Sequence, residues 1–596
     1  MVGAFFCLAP RVALAQVVPP PASEVPVPPK PQTDTTTAAK ADTIQPPFGR
    51  LLSPRTSDIG PQYEWGREEM FASGALTVAD LLERVPGLTA FRTGWLPSPK
   101  YFALNGDMNR VRIFYDGIEM DNLDPKSAPL LDLTTIEIWT LENVAVERFA
   151  NEIQVHLRSW RVERTQPNTR TDVLTGDEDT NIYRGFYGKR FGSGVGMQLA
   201  GQQFSTRAQR LGGSGDALSF MGRFGIARRM WSLDAFAVRR GASRTVQPTF
   251  STTDGLSIPQ YDGTHNLYYV RAAVGNPAGG PWAQVIASHM RFADRSDHVT
   301  PAEAFGQRLV ADTIDTTVTR FQYVASAGIA RGPLRISLTE RARAFESELY
   351  HTPAARIEVA GRIGLMSVHG ETDQFARANR ANVVGRLTPI PYVALAGSIS
   401  ISEPYDSVSI AAPPGWTSAR VEAGIRLFNP WLIGGFITRD TATLIGPLLI
   451  DTAYKAVAIG RRQGFYAGLR GKLYKDINVD VVGMRWDSAG FYQPRYQARS
   501  EINITTRWLS RFPSGTFGLK AAFVHDYRSR VTFPTGTFLR QTVASNVMSG
   551  LLEIRILRGV ASYQVRNIAG ENYQLVPDFF MPRTINVYGI RWEFWN

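Results

Sequence analysis

The chain ends on VYGIRWEFWN, residues 587–596. Tyr588, Ile590, Trp592 and Phe594 share one parity, and Gly589, Arg591 and Glu593 share the other. Successive side chains of a β-strand point to opposite faces, so this is a strand with one aromatic, apolar face and one charged face. The pattern recurs upstream. LRISLTERARAF (334–345) sets Leu334, Ile336 and Leu338 against Arg335, Ser337 and Thr339. RIEVAGRIGLMSV (356–368) sets Ile357, Val359, Gly361, Ile363 and Leu365 against Arg356, Glu358 and Arg362. INVDVVG (477–483) and LLEIRILRG (551–559) repeat it, and no helical periodicity interrupts from about residue 170 onward.

So many strands, each apolar on one face and charged on the other, need lipid on one side and water on the other. A closed transmembrane antiparallel β-barrel meets that need and leaves no backbone group unpaired in the membrane. The 427 residues from 170 to 596, at roughly 20 residues per strand with its connection, give about 21 strands. Single-chain barrels of this kind have even counts, so the expectation is about 22. A barrel that wide encloses an open lumen unless something fills it.

The filler precedes the barrel. In FALNGDMNRVRIFYDGIEMD (102–121), Val111, Ile113 and Tyr115 alternate before Asp116-Gly117, a pair suited to a tight hairpin turn. In TVADLLERVPGL (77–88), Val78, Leu81, Leu82 and Val85 have helical spacing, Thr77 is a natural N-cap and Pro86-Gly87 a stop. TTIEIWTLENVAVERF (134–149) and NEIQVHLRSW (151–160) read as further strands. These make an α+β unit over residues 61–168, read as a plug in the lumen of a barrel spanning 169–596.

Residues 1–15 read as a signal peptide, with Ala13 and Ala15 as the small residues of a cleavage site after Ala15. Residues 16–60 read as a Pro-rich periplasmic tether too polar to bury a core. Cys7, the chain's one cysteine, falls in the leader, which excludes disulfides, Cys-ligated zinc and Cys nucleophiles in the mature protein. The net charge of +12 comes from scattered arginines, which suit a wet interior and argue against nucleic-acid binding. The seven histidines are dispersed without an HExxH spacing, and no GxSxG elbow occurs. TGDEDTN (175–181) lacks the glycine and distal Glu of a calcium loop and reads as a turn. No enzyme activity, metal or cofactor is expected.

Taken together these segments resemble a TonB-dependent outer-membrane receptor. VADLLERVPGL resembles the family's opening plug motif, and FALNGDMNRVRIFYDGIEMD resembles the plug segment that ends in Asp-Gly. TTIEIWTLENVAVERF resembles the approach to a late plug strand, and residues 565–596 resemble the last two barrel strands. The resemblance marks Pro86, Gly87, Asn105, Gly106, Asp116 and Gly117 as plug-motif positions, with Asn105-Gly106 standing where the family has Arg-Gly. It marks Tyr588, Ile590, Trp592 and Phe594 as a signal to the barrel assembly machinery. It places ADTIQ (41–45) as the segment that adds a strand to TonB, with Asp42, Thr43 and Ile44 as contacts.

The resemblance implies residence in the outer membrane of a Gram-negative cell, in contact with its lipid. It also implies binding of a scarce, bulky solute (siderophore, cobalamin, glycan or peptide) and import by energy-driven plug rearrangement. The alternative is a plugged barrel that binds a partner or surface polymer and transports nothing. Ligand contacts are expected from the connections near 244–264, 294–316 and 403–416, and from plug aromatics in YEWGREEMF (63–71) and RTGWLPSPKYF (92–102).

Overall fold

The computed structural model describes residues 49–594, apart from 124–129, 209–213, 249–256, 259, 298–312, 346, 406–414, 447–453 and 536–538. Twenty-two antiparallel strands close into a barrel, and the last, Ile585–Phe594, pairs with the first, Asn168–Gly176. No helix among the described residues is long and apolar enough to cross a membrane.

Alternation sorts the side chains as the sequence requires. Tyr588, Ile590, Trp592 and Phe594 are 40–55% exposed on the outer surface, while Arg591 turns inward and meets Glu553 of the strand Ser545–Ile556 at 2.8 Å. Leu338 and Ile357 also face out, and Arg341 and Arg343 face in. One run corrects its sequence reading. Residues 356–368 are two strands joined by a turn at 361–363, not one continuous alternation. The turn resets the phase, so Leu365 is buried inward and Met366 and Val368 take the outer face.

The two ends of the barrel differ. At one end the connections are turns such as 332–333, 475–476 and 557–558. At the other, long connections such as 245–260 and 440–461 carry small hairpins of their own. Outer-membrane barrels have short periplasmic turns and long extracellular loops, which assigns the two ends. The turn at 177–179, with Glu178 and Asp179 at positive φ, lies at the long-connection end.

Inside sits the plug. Its elements are β1 (Glu64–Gly66), α1 (Arg67–Ala72), α2 (Val78–Leu82), β2 (Leu88–Arg92), β3 (Lys100–Leu104), β4 (Val111–Tyr115), β5 (Ile118–Glu119), β6 (Leu141–Arg148) and β7 (Ile153–Ser159). Five strands form a mixed sheet in the order β1-β6-β7-β4-β5, with β4 parallel to β7, and β2–β3 is a separate hairpin. The Asp116-Gly117 turn joins β4 to β5 with φ of 51° and 93°, the left-handed values a tight hairpin demands. Residues 133–140 are two 3-10 turns rather than strand, so only the second half of that stretch extends into β6. The plug core, with Leu81, Trp139 and Val155 at its centre, continues without a break into wall residues such as Phe186, Phe236 and Ile286.

Candidate functional site

The plug-motif positions gather at two docking points on the wall. At the first, Pro86-Gly87 ends the turn after α2, and the Asn105 N–H donates to the Gly87 carbonyl at 3.0 Å. Asn105 (φ 53°) and Gly106 (φ 88°) both take left-handed backbone. Asn accepts that region more readily than most side chains. Gly106 lies so close to the wall that a Cβ there would stand 3.2 Å from Gln493 and 3.3 Å from Arg439. Arg439 donates to the Asn105 carbonyl, which pins this loop to the barrel.

The second docking point is Asp116. Its carboxylate accepts from the Ser159 amide at 3.3 Å, from the Ser159 hydroxyl and from the Tyr269 hydroxyl of the wall at 2.6 Å. Arg223 lies 3.7 Å away. The turn aspartate therefore also seats the plug, a role its sequence context did not announce.

At the long-connection end an apolar cluster covers part of the plug. Phe91 and Tyr101 of the plug form one apolar cluster with residues of the outer connections. Phe533 is its hub, edge-on to Phe91 (5.7 Å, 88°) and Tyr492 (5.4 Å, 84°) and tilted against Tyr454 (5.1 Å). The Tyr492 hydroxyl donates to the Lys455 carbonyl at 2.6 Å. Most of this lid comes from residues such as Leu444, Tyr454, Tyr492, Phe533, Val576 and Phe579, outside the three segments singled out from sequence. Gln247, Ile258 and Trp416 do come from those segments, and each reaches the plug or its lid: Gln247 bonds the Thr93 carbonyl, and Arg110 stacks over Trp416 at 4.0 Å. The missed signal was aromatics such as Tyr454 and Phe533 sitting in connections rather than in alternating strands.

RTGWLPSPKYF lies at this end, where the Trp95 indole donates to Thr180 at 2.9 Å. YEWGREEMF does not. Tyr63 packs under Arg470 and Glu68 meets Arg555, both close to the short turns, so this segment faces away from the mouth. Its apolar residues complete the plug's underside.

Three arginines around this cluster bond to carbonyl oxygens. Arg439 meets Asn105, Arg528 meets Ala90 (2.8 Å) and Arg462 meets Ala489 (3.1 Å). Arginine stays charged in any protein setting, and acids stand near all three: Asp107 and Asp487 by Arg439, Asp487 by Arg462, and Glu83 by Arg528.

The flanks of the plug contrast. On one, Arg112 of β4 bonds Glu119 through both carboxylate oxygens (2.7 and 2.9 Å) and reaches Glu371 of the wall. Arg341 and Arg380 each bond Glu371 at 2.7 Å, and Arg343 bonds Glu119. Burial alone would raise the pKa of Glu119, but Arg112, Arg343 and Arg341 outweigh it and hold it well below the usual carboxylate range. Nearby, burial likewise opposes ionisation of Glu147, yet Arg356 and His156 bring it down to about 2.

On the opposite flank a cavity of about 180 Å³ separates residues 73–95 from the wall strands near 497–501, 522–528 and 545–551. Asp80, Arg84 and Arg499 line it, with Arg84 bonded to Glu501 at 2.7 Å. Asp80 accepts from the Leu76 and Thr77 amides at the start of α2 and from Arg566 of the wall at 3.1 Å. Burial works against its charge, but Arg566, Lys100 and Arg92 hold its pKa far below normal.

Asp42, Thr43 and Ile44 lie outside the described residues, as do residues 1–41. From Gly49 the chain runs as a strap along the short-turn end. The Gly49 amide donates to Ser232 (2.8 Å), Leu51 to Gln284 (3.1 Å) and Arg55 to Glu358 (3.2 Å). Asp58 pairs with Arg148 at 2.8 Å, and Ile59 packs with Ile433 and Trp431.

Residues 60–154 match the TonB-dependent Receptor Plug Domain family. The whole architecture is similar to solved structures. The siderophore receptor PirA from Acinetobacter baumannii is 10% identical, with a TM-score of 0.64 over 89% of this chain and 98% of that one. The ferric enterobactin receptor PfeA from Pseudomonas aeruginosa, solved with enterobactin, is 9% identical with a TM-score of 0.66 over 90% and 100%. The copper transporter OprC is 12% identical with a TM-score of 0.67 over 91% and 100%. At such identities the likeness is one of fold. No curated protein sequence matches the chain.

Proposed function

We propose, from its plug domain and its 22-stranded barrel, that the chain is a TonB-dependent outer-membrane receptor that imports a bulky, negatively charged solute in a TonB-coupled cycle. The observation that carries this reading is the mouth. Aromatic side chains cover the plug apex, and Arg439, Arg462 and Arg528 around them are bonded to neutral carbonyls. Once the connections part, that surface offers stacking faces and arginine donors to an anion. PirA and PfeA, which share the fold, are named for siderophores, and an anionic metal chelate is the solute class this chemistry favours.

The strap supplies the force path. A partner that adds a strand at residues 42–44 gains backbone hydrogen bonds with little sequence demand. Tension there reaches Gly49 first and then loads the contacts to Ser232, Gln284 and Glu358 one after another. Next in line is β1, a three-residue edge strand paired only to β6. Edge strands unzip bond by bond, so the plug sheet opens from this side.

The test joins both halves. A peptide spanning Gln16–Gly60 is titrated with the periplasmic domain of the cognate TonB, beside Ile44→Pro. Uptake of labelled ferric chelates is followed in cells with and without TonB. Saturable binding lost in the proline variant, with TonB-dependent uptake, supports import. Uptake that persists unchanged without TonB overturns it. The apolar cluster over the plug favours a second reading, a partner-binding surface formed by the outer connections, and absent TonB binding would move that reading first.

A further inference from the structure

The outer surface carries a feature that a lipid-facing wall does not need. Across the strands from Val195–Arg207 to Thr313–Arg331, outward residues align in rows. One row reads Met197, Phe224, Ala235, Val270, Ala287, Tyr323. The next towards the mouth reads Leu199, Gly222, Ala237, Tyr268, His289, Phe321. Small residues at Gly222, Ala235, Ala237 and Ala287 leave a groove, walled by Leu199 and Phe224 on one side and by Phe321 and Tyr323 on the other. His289 stacks between Tyr268 (6.2 Å) and Phe321 (4.6 Å) at its upper edge.

The following row changes character: Gly201, Phe220, Arg239, Asn266, Arg291, Thr319. Arg239 and Arg291 are exposed, face outward, and have no carboxylate partner among the described residues. The nearest outward acids, Asp216 and Asp262, both register with Ser243, four residues further out on the Arg239 strand. Arg239 stands eight residues above Trp231, the exposed aromatic at the short-turn end. At ~3.3 Å per residue and a tilt near 40°, that is about 20 Å up an apolar band about 25 Å tall. The two arginines therefore stand near the outer boundary of the hydrocarbon, the level of lipid phosphates.

We propose that this sector is a binding site for a phosphorylated lipid of the outer leaflet, its phosphate between Arg239 and Arg291 and an acyl chain in the groove below. Arginine is suited to phosphate because its planar fork offers paired donors. A cationic side chain on the lipid face is otherwise a cost, smallest near the interface and larger towards the midplane. A resident phosphate converts that cost into attraction. Asn266, between the arginines on the intervening strand, adds a polar side chain for the headgroup. The site is independent of the solute and of TonB.

The full-length barrel, purified in a neutral detergent, is titrated with phosphatidic acid or phosphatidylcholine, and lipid adducts are counted by native mass spectrometry. Two variants accompany it: Arg239→Ala with Arg291→Ala, and Ala237→Trp, which fills the groove and keeps the charge. Folding is verified by the heat-dependent gel mobility of the barrel. Tighter binding of phosphatidic acid than of phosphatidylcholine is expected, falling about 30-fold in the double-arginine variant and clearly in Ala237→Trp. Equal binding of both lipids, or phosphatidic-acid binding unchanged in either folded variant, overturns the proposal.

Discussion

The two flanks of the plug are built on opposite principles. Around Arg112, three plug or wall carboxylates and three further arginines are locked in a dry lattice. Around Arg84 the ion pairs border a cavity. A buried charge is tolerable only while all its partners stay, so the lattice resists any partial displacement. Pairs beside a cavity have room to exchange a protein partner for water, which the lattice lacks. The contrast predicts where the plug would give way in the proposed cycle: a segment leaving the lumen would detach on the cavity flank, near residues 73–92, while β4, β5 and β7 keep their hold.

The largest expected effect tests the lattice itself. Arg112→Met leaves Glu119, Glu152 and Glu371 without their shared cation and should weaken plug docking by about 3–5 kcal/mol, read as a fall in the denaturant midpoint for proteolytic release of the plug. An unchanged midpoint would erase the contrast between the flanks. Acid should do the same more gently through Glu147. Its folded pKa lies below the ordinary 4.5, at about 2, so its contribution is complete above pH 4.5 and fades as pH falls towards 2. The midpoint at pH 3 should lie below that at pH 6, and Glu147→Gln should flatten the difference.

On the cavity flank Arg84→Met should cost about 1–3 kcal/mol, less than Arg112→Met because Arg499 stays 3.8 Å from Glu501, with the loss confined to faster amide exchange over residues 73–92. A cost equal to that of Arg112→Met would show both flanks to be equally rigid. Smallest of all, Ser232→Ala removes one acceptor from the Gly49 amide, worth about 0.5–1.5 kcal/mol, and should raise exchange at Gly49 without touching the plug midpoint.

Much of this architecture was legible because period-two alternation is a local property. The outward faces of 334–345 and 588–594 and the Asp116-Gly117 turn follow from residues within a few positions of one another. The reading slipped where a turn hid inside an unbroken pattern: Gly361, Arg362 and Ile363 continue the alternation yet reverse the chain. It slipped again at residues 133–140, whose β-branched residues and Trp139 serve 3-10 turns fixed by the surrounding core. The mouth was least visible. Phe91, Tyr492 and Phe533 meet from three distant parts of the chain, and nothing near any of them states the meeting. The two flanks were equally hidden, since Arg112 and Arg84 differ only in what the wall brings to them.

The pairing of the first barrel strand with the last has a bearing on how the molecule is made. It is a seam: elsewhere each strand bonds to its neighbour in the chain, whereas here residues 169–176 wait for 587–594. Until the C-terminal strand arrives, the sheet has two open edges, each a template for wrong partners. The clasp of Asp177 on the Asn586 amide and side chain, both at 2.8 Å, fixes the register at the outer edge of that seam. The plug leads directly into the first wall strand through residues 160–167, so a seam that closed around a seated plug would spare any later threading of the plug through a finished ring.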